Sequence, residues 1–410
     1  MISRHWRLLP IAALCSLASA QDYDTRDWFK GNTHSHSLWS DGNDFPEMIF
    51  DWYRSRGYHF VGLSDHNVMQ QGDKWMDLEA IQKRQRALGR NAVSKLKARF
   101  GEDWIQWETR DGKKGVVLKT LDECRELLEK PGEFYLLPAE EVSNTGQGKP
   151  VHINALNLQE VIPAIKDPDQ SPREVLRRSV RDIRERAEKT GRPILAHLNH
   201  PNFQWALTAE DLADVAEGDF FEVYNGHPGI NHLGDDERPG DEEIWDIANT
   251  IRIAEMEAAP LLGVATDDSH TYHGGDVSPG RGWVMVGAES LDGDAIVEAL
   301  RAARFYASSG VTLDAIRFDE SSRTLSLEIT PVDGVEFTTE FIGTRAGYDA
   351  AAKETGIGEV FATVEGNSAS FIVPEDALYL RATVNSSRRH PNPSYPEQKE
   401  QAWIQPVGWR

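Results

Sequence analysis

The chain has 410 residues, a hydrophobic share of 40% and a formal net charge of −22. This length is enough for one large domain and a smaller one, and the hydrophobic residues are too few and too scattered for a protein with several membrane spans. An excess of acidic residues this large excludes a protein that binds nucleic acid through a basic groove.

The first 20 residues have the pattern of a secretory signal peptide. Two arginines precede an apolar run at 8–17, and small residues at 18–20 form the cleavage site. We expect cleavage between Ala20 and Gln21 and a secreted or periplasmic protein with no transmembrane anchor after cleavage. An uncleaved anchor would be too short to span a bilayer comfortably, and the bulky residue before Cys15 disfavours lipid modification there.

Removal of residues 1–20 leaves Cys124 as the single cysteine, so we expect no disulfide within the mature chain. The two arginines lost with the signal peptide lower the formal charge from −22 to −24. An anionic substrate therefore needs a locally positive site, which clustered metal ions would provide.

The first element predicted in the mature chain is a strand at 27–34 that ends in a His-x-His pair. His34 and His36 project from the same face because side chains alternate along a strand, so both can bind one metal ion. Asp41, beside the conformationally permissive Gly42, can bring a carboxylate to a neighbouring ion. A lone His-x-His is a weak signal, and similar clusters after later strands strengthen it.

A predicted helix follows, with Pro46 in its first turn and Gly57 at its end. The next predicted strand, at 59–63, is followed by Asp65 and His66. This order of strand, helix and strand, with ligands at the carboxyl ends of the strands, is typical of a parallel α/β barrel.

Residues 68–133 interrupt this alternation. The segment is rich in charged residues, has helical periodicity between Leu78 and Leu96, and contains Trp104 and Trp107. We predict a helical insertion over the mouth of the barrel. A solvated segment with no part in the site is an equally good alternative.

The alternation resumes after the insertion and continues to residue 310, with helices predicted at 171–189, 241–258 and 292–301. The predicted strands lie at 134–137, 151–156, 193–196, 220–224, 261–265, 283–286 and 305–307. The possible ligands in or after these strands are Glu140 and Glu141, His152, His197 and His200, Asn225 and His227, and Asp267, Asp268 and His270.

From about Val311 the pattern changes to short runs in which apolar and polar residues alternate, separated by turn residues. This pattern predicts a small antiparallel β domain at 311–410. The segment contains no cluster of possible ligands, so we expect residues 21–310 to form the domain that holds the site.

The candidate ligands are imidazoles and carboxylates without a thiolate. This mixture suits zinc, manganese or iron in a catalytic site that protein ligands do not completely fill. A carboxylate such as Glu141 can bridge two ions, and bridged ions generate a hydroxide at neutral pH and hold phosphoryl oxygens. No nucleophile elbow, phosphate-binding loop or dinucleotide fingerprint competes with this interpretation.

The chain resembles the polymerase-and-histidinol-phosphatase (PHP) superfamily in an ordered series of motifs between residues 27 and 310, with the insertion outside the match. The motifs are His34-x-His36, Ser40-Asp41-Gly42, Ser64-Asp65-His66, Glu141, His152, His197 and Asp268-x-His270. The resemblance implies an α/β fold, a distorted seven-stranded (β/α)7 TIM-like barrel, with two or three divalent transition-metal ions and phosphoester hydrolysis. It implies ligands for the first ion at His34, His36, Glu141 and Asp268, for the second at Glu141, His152 and His197, and for the third at Asp41, His66 and His270.

Three of these assignments have an alternative nearby. Glu140 could replace Glu141, although the residues after Glu141 fit the superfamily better. His200 could replace His197, which we prefer because it stands directly at its strand end. Asp267 could replace Asp268, but only Asp268 has the Asp-x-His spacing.

Five further residues are candidates for roles other than metal binding. Asp65 is interpreted as the partner that orients His66. His273 is a candidate general acid, and Arg281, on a flexible loop, is a candidate for holding a phosphate. Asn225 and His227 are candidates for contact with substrate, and structural roles are equal alternatives for them and for Arg281.

The sequence thus predicts a secreted metal-dependent phosphoesterase that acts on a phosphorylated small molecule or polymer. One alternative is a hydrolase of C–N or C–O bonds of the amidohydrolase type, which also begins with His-x-His on a β/α barrel. The pairing of Asp268 with His270 disfavours it, since such hydrolases normally show one late unaccompanied Asp. A second alternative is a metal-containing binding protein without catalytic activity.

Overall fold

The computed structural model describes residues 21–85, 91–215, 218–351 and 355–409. The signal peptide predicted at 1–20 lies outside these residues. The described chain is a mixed α/β protein with one large central sheet, a four-stranded antiparallel sheet and a three-stranded antiparallel sheet. Within the described ranges, no helix combines the length and the apolar character needed to cross a membrane.

The elements are numbered in chain order. The strands up to residue 310 are β1 (Gln21–Asp24), β2 (Phe29–Asn32), β3 (Phe60–Leu63), β4 (Trp75–Asp77), β5 (Trp107–Arg110), β6 (Lys113–Val117), β7 (Tyr135–Gly146), β8 (Lys149–Leu156), β9 (Lys166–Asp167), β10 (Leu195–Leu198), β11 (Phe220–Asn225), β12 (Leu262–Thr266), β13 (Trp283–Val286) and β14 (Phe305–Ser308). The later strands are β15 (Leu313–Asp319), β16 (Thr324–Ile329), β17 (Phe337–Arg345), β18 (Glu359–Glu365), β19 (Ser368–Ile372), β20 (Ala377–Arg389) and β21 (Lys399–Val407). The helices are α1 (Pro46–Arg54), α2 (Leu78–Arg84), α3 (Ala92–Phe100), α4 (Leu121–Leu128), α5 (Pro172–Thr190), α6 (Ala209–Ala213), α7 (Asp241–Met256) and α8 (Gly293–Arg301).

The three helices predicted after the insertion are present almost as predicted. Helix α5 begins with a capping box between Ser171 and Glu174, and it ends at Gly191, whose φ of 67° is in the left-handed region. Its buried side chains join the core around β7 and β8. Helices α7 and α8 match the predicted ranges to within two residues at each end.

Seven neighbouring strands of the central sheet form the ligand-bearing part of the molecule. Their order is β12-β11-β10-β8-β7-β3-β2, and four of the six neighbouring pairs are parallel. Strand β8 is the exception, because it is antiparallel to both of its neighbours. The prediction of a parallel arrangement is therefore correct for most of this part of the sheet and wrong for β8.

The antiparallel direction of β8 comes from a tight hairpin. Gln147 and Gly148 join β7 to β8, and their φ angles of 46° and 77° are both positive. Two consecutive residues in this region match the twist of an antiparallel hairpin. As a result Glu141 lies in the middle of a long strand, and His152 is on the partner strand of the same hairpin.

The two ends of the seven-strand series meet at the ligand residues. The Asp268 N–H donates to the His34 carbonyl at 2.9 Å, and the His36 N–H donates to the Ser269 carbonyl at 2.9 Å. One isolated parallel bridge, between Ser35 and Ser269, accompanies these bonds. Strands β2 and β12 thus come close to each other just past their last residues, and the described residues form no continuous ladder between them.

The insertion at 68–133 is helical only in part. It contains α2, α3 and α4, but β4, β5 and β6 form a three-stranded antiparallel sheet within it. The prediction of a helical insertion missed this sheet because its strands are short and mostly half-exposed, which weakens the alternation in the sequence. Its apolar residues pack on Leu38, Trp39 and Phe45, just after the His-x-His pair.

Among the residues described beyond 310, every regular element is a β-strand, as the sequence predicts. Strands β15, β16 and β19 form a sheet whose fourth strand is β1, and β17, β18, β20 and β21 extend the central sheet through β14. All of these pairs are antiparallel. The C-terminal segment is therefore continuous in hydrogen bonding with the ligand-bearing part.

Candidate metal centre

Nine histidine and carboxylate side chains come together at one end of the ligand-bearing strands. They form four overlapping groups in which the possible ligand atoms all lie within 4.8 Å of one another. The groups are His34, His36 and Glu141; His34, His200 and Asp268; His66, Glu141 and His152; and His36, Asp41, His66 and His270. Eight of these nine residues are ligands predicted from the sequence, and the ninth is His200.

Glu141 is the centre of this nine-residue cluster. Its Oε1 lies 3.3 Å from His34 Nε2 and 3.1 Å from His152 Nδ1, and its Oε2 lies 2.5 Å from His66 Nδ1. Burial alone would raise the pKa of this carboxyl, but the imidazoles of His66, His152 and His34 hold it well below its usual value. Both oxygens of this carboxylate therefore contact candidate ligand residues.

One ring nitrogen of His34 faces the cluster, and the other contacts a carboxylate outside it. Its Nδ1 lies 2.6 Å from Glu222 Oε1, while its Nε2 lies 3.3 Å from both Glu141 Oε1 and Asp268 Oδ1. The hydrogen bond to Glu222 keeps a proton on Nδ1, so Nε2 is the ring nitrogen that a cation would bind. Although burial lowers it, the carboxylates of Asp268, Glu222 and Glu141 raise the pKa of His34 well above its usual value.

Glu222 is a functional candidate that sequence analysis missed. Besides His34 it accepts hydrogen bonds from the His200 N–H at 2.9 Å, from Asn225 Nδ2 at 2.8 Å and from Thr266 Oγ1 at 2.7 Å. Burial raises the pKa of Glu222, but His34 and its neighbours lower it to about 2. The available signal was a single carboxylate within the apolar strand β11, where an unpaired charge would be costly.

The group around Asp41 lies at the solvent edge of the cluster. Asp41 oxygens are 3.4 Å from His270 Nε2, 3.5 Å from His66 Nε2 and 3.7 Å from His36 Nδ1, and the Asp41 side chain is 54% exposed. Gly42 is needed beside it, because a Cβ there would collide with the His36 carbonyl. This third group is therefore more open to solvent than the two groups that share His34.

The donor set fits divalent metal ions. His34 Nε2 and Glu141 Oε2 are buried and make no hydrogen bond of good geometry with any described residue, although ligand-type atoms surround them, among them His66 Nδ1 at 2.5 Å from Glu141 Oε2. Buried polar atoms without partners are rare, and imidazole with carboxylate oxygen is the usual ligand mixture of catalytic zinc, manganese or iron. The orphaned atoms are those to which a cation would bind.

The sequence favours His197 over His200 as a ligand, but the structure brings His200 into the cluster, in the group with His34 and Asp268, and not His197. His200 Nε2 is 3.4 Å from Glu141 Oε1, whereas His197 is in none of the four groups and lies 3.9 Å from Glu222 Oε1. The reason is local: β10 ends at Leu198, and His200 turns back toward the cluster with a φ of 24°. His197 remains in the strand and is buried beneath the cluster.

The other two alternatives are decided in favour of the preferred residues. Glu140 alternates to the opposite face of β7, where its Oε2 accepts the Ile162 N–H at 2.8 Å. Asp267 accepts the N–H groups of 280, 281 and 282 and the Tyr53 hydroxyl, all within 2.9 Å. In each pair, therefore, only the preferred residue, Glu141 or Asp268, faces the cluster.

Asp65 does not orient His66 as predicted. Its carboxylate accepts hydrogen bonds from the Ser37 N–H and hydroxyl, at 2.8 and 2.7 Å, from Ser40 Oγ at 2.5 Å and from Gln70 Nε2 at 2.7 Å. His66 is held instead by Ser143 Oγ at 2.6 Å. Asp65 therefore fixes the loop between the His-x-His pair and Asp41, because that loop folds back over the end of β3.

Arg281 and His273 are both buried in contacts away from the cluster, so neither can have its predicted role. Arg281 donates to the Gly226 carbonyl at 2.7 Å and to the Asn392 carbonyl at 3.0 Å, which joins its loop to the C-terminal segment. His273 Nε2 is 3.0 Å from the Asn43 carbonyl, and its Nδ1 is 3.2 Å from Lys95 Nζ in the insertion.

The two candidates at the end of β11 have different positions. Asn225 is fully buried and donates to Asp268 Oδ2 at 3.1 Å and to Glu222 Oε2 at 2.8 Å, so it positions a ligand and does not face substrate. His227 lines a cavity of about 160 Å³ beside the cluster. The cavity lining consists of Asp41, His66, Glu141, His152, His200, Phe203, His227, Ile230, Asp268 and His270.

Comparison with known proteins gives structural similarities only. No family model matches the chain, and no curated protein matches its sequence. Among solved structures, a two-domain protein from Bacteroides vulgatus that contains a predicted PHP-like metal-dependent phosphoesterase is 16% identical, with 94% of this chain and 98% of that chain covered and a TM-score of 0.41. The chain resembles PHP-like metal-dependent phosphoesterase structures.

Two further structures show the range of this similarity. A protein from Bifidobacterium adolescentis, described as a candidate metal-dependent phosphoesterase, is 14% identical over 66% of this chain and 95% of its own, with a TM-score of 0.31. An amidohydrolase from Chromobacterium violaceum, with bound sulfate and no metal, is 14% identical over 59% of this chain and 87% of its own, with a TM-score of 0.27. Because these identities and TM-scores are low, they decide neither the fold nor the reaction.

Proposed function

We propose that this chain is a metal-dependent phosphoesterase that holds two or three divalent ions of zinc, manganese or iron in the nine-residue cluster. The observation that supports this most directly is the position of Glu141. Ligand-type nitrogens approach both of its oxygens, and Glu141 belongs to two of the four groups of candidate ligands. Paired ions about 3.5–4 Å apart, bridged in this way, are typical of hydrolases that act on phosphoesters.

The ions, when bound, would supply a nucleophile from water at neutral pH and polarise the phosphoryl oxygens. The chain's own side chains orient the ligands. Glu222 holds the Nδ1 proton of His34, Asn199 Nδ2 donates to Glu141 Oε1 at 2.8 Å, and Ser143 holds His66. These contacts preorganise the ligands before substrate arrives, which lowers the cost of reaching the transition state.

Charge favours the trinuclear form for a phosphate substrate. The cavity lining contains three carboxylates, and among its described residues there is no Lys or Arg. Glu222 adds a fourth negative charge just behind His34. Two divalent ions only balance these four charges, whereas three leave the site positive, so binding of an anionic phosphate calls for the third ion beside Asp41.

We also propose that the seven ligand-bearing strands form a distorted barrel within an exported two-part protein, with the parts meeting near residue 310. The bonds between the residues after β2 and β12 support the barrel. The apolar run at 8–17 and the small residues at 18–20 support cleavage before Gln21. N-terminal sequencing of the exported protein should begin at or near Gln21, and sequence beginning at Met1 would contradict export with cleavage.

The decisive experiment compares two neighbouring glutamates. Glu141→Gln should lower the metal content and reduce hydrolysis of aryl phosphate esters by at least about 100-fold, because it removes the bridging charge. Glu140→Gln is the matched control, since Glu140 is equally buried but faces away from the cluster. Elemental analysis and a panel of phosphate monoesters, diesters and amides should be run on both variants and the wild type.

Three results would overturn the proposal. One is the absence of phosphate ester cleavage by metal-loaded wild type across the panel. Another is full activity in Glu141→Gln. The third is cleavage of amides alone, which would establish the amidohydrolase alternative.

A further inference from the structure

One side of the cavity beside the nine-residue cluster contains none of the candidate metal ligands. Phe203, His227 and Ile230 form this side. Ile230 is 7% exposed and Phe203 is partly exposed. The cavity thus combines a charged wall with an apolar wall, and the apolar wall comes from two loops, at 200–205 and 226–232.

The first loop contains an unusual concentration of left-handed backbone. His200, Gln204 and Trp205 have φ angles of 24°, 52° and 53°, although none is glycine. Such conformations persist only where the surroundings enforce them, and they are concentrated at functional sites. Here they turn the Phe203 ring edge-on to the His200 ring, at 5.3 Å between centroids.

The two loops are fixed to each other by a reciprocal pair of hydrogen bonds. Asn202 Nδ2 donates to the Asn231 carbonyl at 3.2 Å, and Asn231 Nδ2 donates to the Asn202 carbonyl at 2.9 Å. The Phe203 and His227 rings also meet edge to face at 6.2 Å. The wall is therefore rigid before any ligand binds, which favours recognition of one shape over another.

His227 presents a defined hydrogen-bond donor in this wall. Its Nδ1 accepts the Gly229 N–H at 2.9 Å, so in the neutral ring the proton is on Nε2. Gly229 permits the close approach, because a Cβ there would lie 2.9 Å from His227 Nδ1. Among the described residues Nε2 has no hydrogen-bond partner, which leaves its N–H for an oxygen in the cavity.

We propose that Phe203, Ile230 and His227 form the subsite for the alcohol part of the substrate and select phosphate esters of planar apolar alcohols. This inference rests on the proposed phosphoesterase function. The phosphate group lies on the ligand side, the ring of the alcohol packs on Phe203 and Ile230, and His227 Nε2–H donates to the ester oxygen. A cavity of about 160 Å³ is smaller than typical ligand pockets of roughly 300–1,000 Å³, so it encloses the phosphate and the first ring only.

The test compares an aryl with a polar substrate. Wild type should have a kcat/KM for 1-naphthyl phosphate at least about tenfold higher than that for glycerol 2-phosphate. Loss of apolar contacts of this kind usually lowers kcat/KM by about that factor. Phe203→Ala and Ile230→Ala should each remove most of this preference through KM, because each lowers kcat/KM for 1-naphthyl phosphate more than kcat/KM for glycerol 2-phosphate. Leu233→Ala is the matched control, because Leu233 follows the same loop but is 74% exposed and outside this cavity.

A binding readout separates this inference from the proposed function. Calorimetry of the metal-loaded protein should show 1-naphthylphosphonate binding about tenfold more tightly than methylphosphonate, and Phe203→Ala should abolish the difference. If no ester is cleaved but this difference is present, the phosphoesterase function fails and the subsite is retained. Equal affinities for the two phosphonates in wild type, or equal losses on both esters in Phe203→Ala, would overturn the subsite.

Discussion

His200 and Asp268 reach the cluster through backbone conformations that L-amino acids rarely adopt. Their φ angles are 24° and 46°, and residues held in this way cost about 1–3 kcal/mol each. Hydrogen bonds at the same residues offset that cost: the His200 N–H donates to Glu222, and the Asp268 N–H donates to the His34 carbonyl. The strain is therefore maintained where it turns two candidate ligand side chains toward the cluster.

This geometry predicts different outcomes for two nearby histidines. His200→Gln should lose one metal ion per chain, because His200 Nε2 is among the ligand atoms around His34 and Asp268. His197→Gln should keep the full metal content, since His197 lies beneath the cluster, where burial lowers its pKa to about 4. Elemental analysis of both purified variants checks this, and loss of metal from His197→Gln alone would contradict the assignment of His200.

Helix α1 joins the insertion to the loop that follows the His-x-His pair. Trp104 Nε1 donates to Glu47 Oε1 at 2.9 Å, and Arg99 Nε donates to Asp51 Oδ2 at 2.6 Å. Lys95 Nζ lies 2.9 Å from Asp44 Oδ2, just before the helix. The insertion is thus docked on the element that follows the ligand loop, so its sheet and helices support the site from outside.

Glu47 makes this docking dependent on pH. Burial raises its pKa to about 7, the nearby Asp44 also raises it, and the Trp104 hydrogen bond and Lys119 lower it by less. The folded state therefore keeps the Glu47 proton up to about pH 7, whereas the unfolded state loses it near the ordinary value of 4.5. Stability is highest below pH 4.5 for this group and falls as the pH rises from there to about 7.

We expect Glu47→Gln to remove this loss. At about 1.4 kcal/mol per pKa unit, the variant should be more stable than wild type by about 3 kcal/mol at pH 8 and by much less at pH 5. Urea unfolding of both proteins at the two pH values checks it, and contributions common to both cancel in the difference. Glu79→Gln, on the exposed first turn of α2, is the control and should show no such pH dependence.

At the scale of the whole molecule, the C-terminal segment is joined to the ligand-bearing part by buried polar contacts. Arg381 on β20 binds both carboxylate oxygens of Asp246 on α7, at 2.7 and 2.6 Å, and Glu242 at 3.0 Å. Gln405 on β21 exchanges two hydrogen bonds with the backbone of Gly263 on β12. The segment therefore supports β12, which leads directly to Asp268, although it supplies none of the nine clustered residues.

Arg381→Ala should therefore lower the free energy of unfolding by about 3–5 kcal/mol, because it leaves Asp246 buried without its cation. Arg389→Ala is the matched control on the same strand, since Arg389 is 71% exposed and pairs only with exposed Glu397. Its effect should stay within about 1 kcal/mol. Urea denaturation monitored by tryptophan fluorescence checks both, and equal stability of the two variants would contradict a buried inter-segment ion pair.

Local sequence patterns are enough to predict which kinds of residue meet and at which end of the strands. Alternation in the strand predicted at 27–34 aligns His34 with His36, and short apolar runs followed by histidines and carboxylates predict that their ends converge. The Asp-x-His spacing identifies Asp268 over Asp267. These features depend on local periodicity, which a single chain displays without knowledge of its long-range contacts.

Which side chains already have hydrogen-bond partners outside the cluster depends on long-range contacts that only the folded chain makes. Arg281 and His273 bind carbonyls of Asn392 and Asn43, which are distant in sequence, so no local pattern reveals that they are unavailable. Glu222 can be recognised as the residue that orients His34 only once β11 lies next to β12 and behind His34. The choice of His200 over His197 depends on a backbone turn that the neighbouring strand enforces, because side-chain direction follows from packing and long-range hydrogen bonds as much as from sequence spacing.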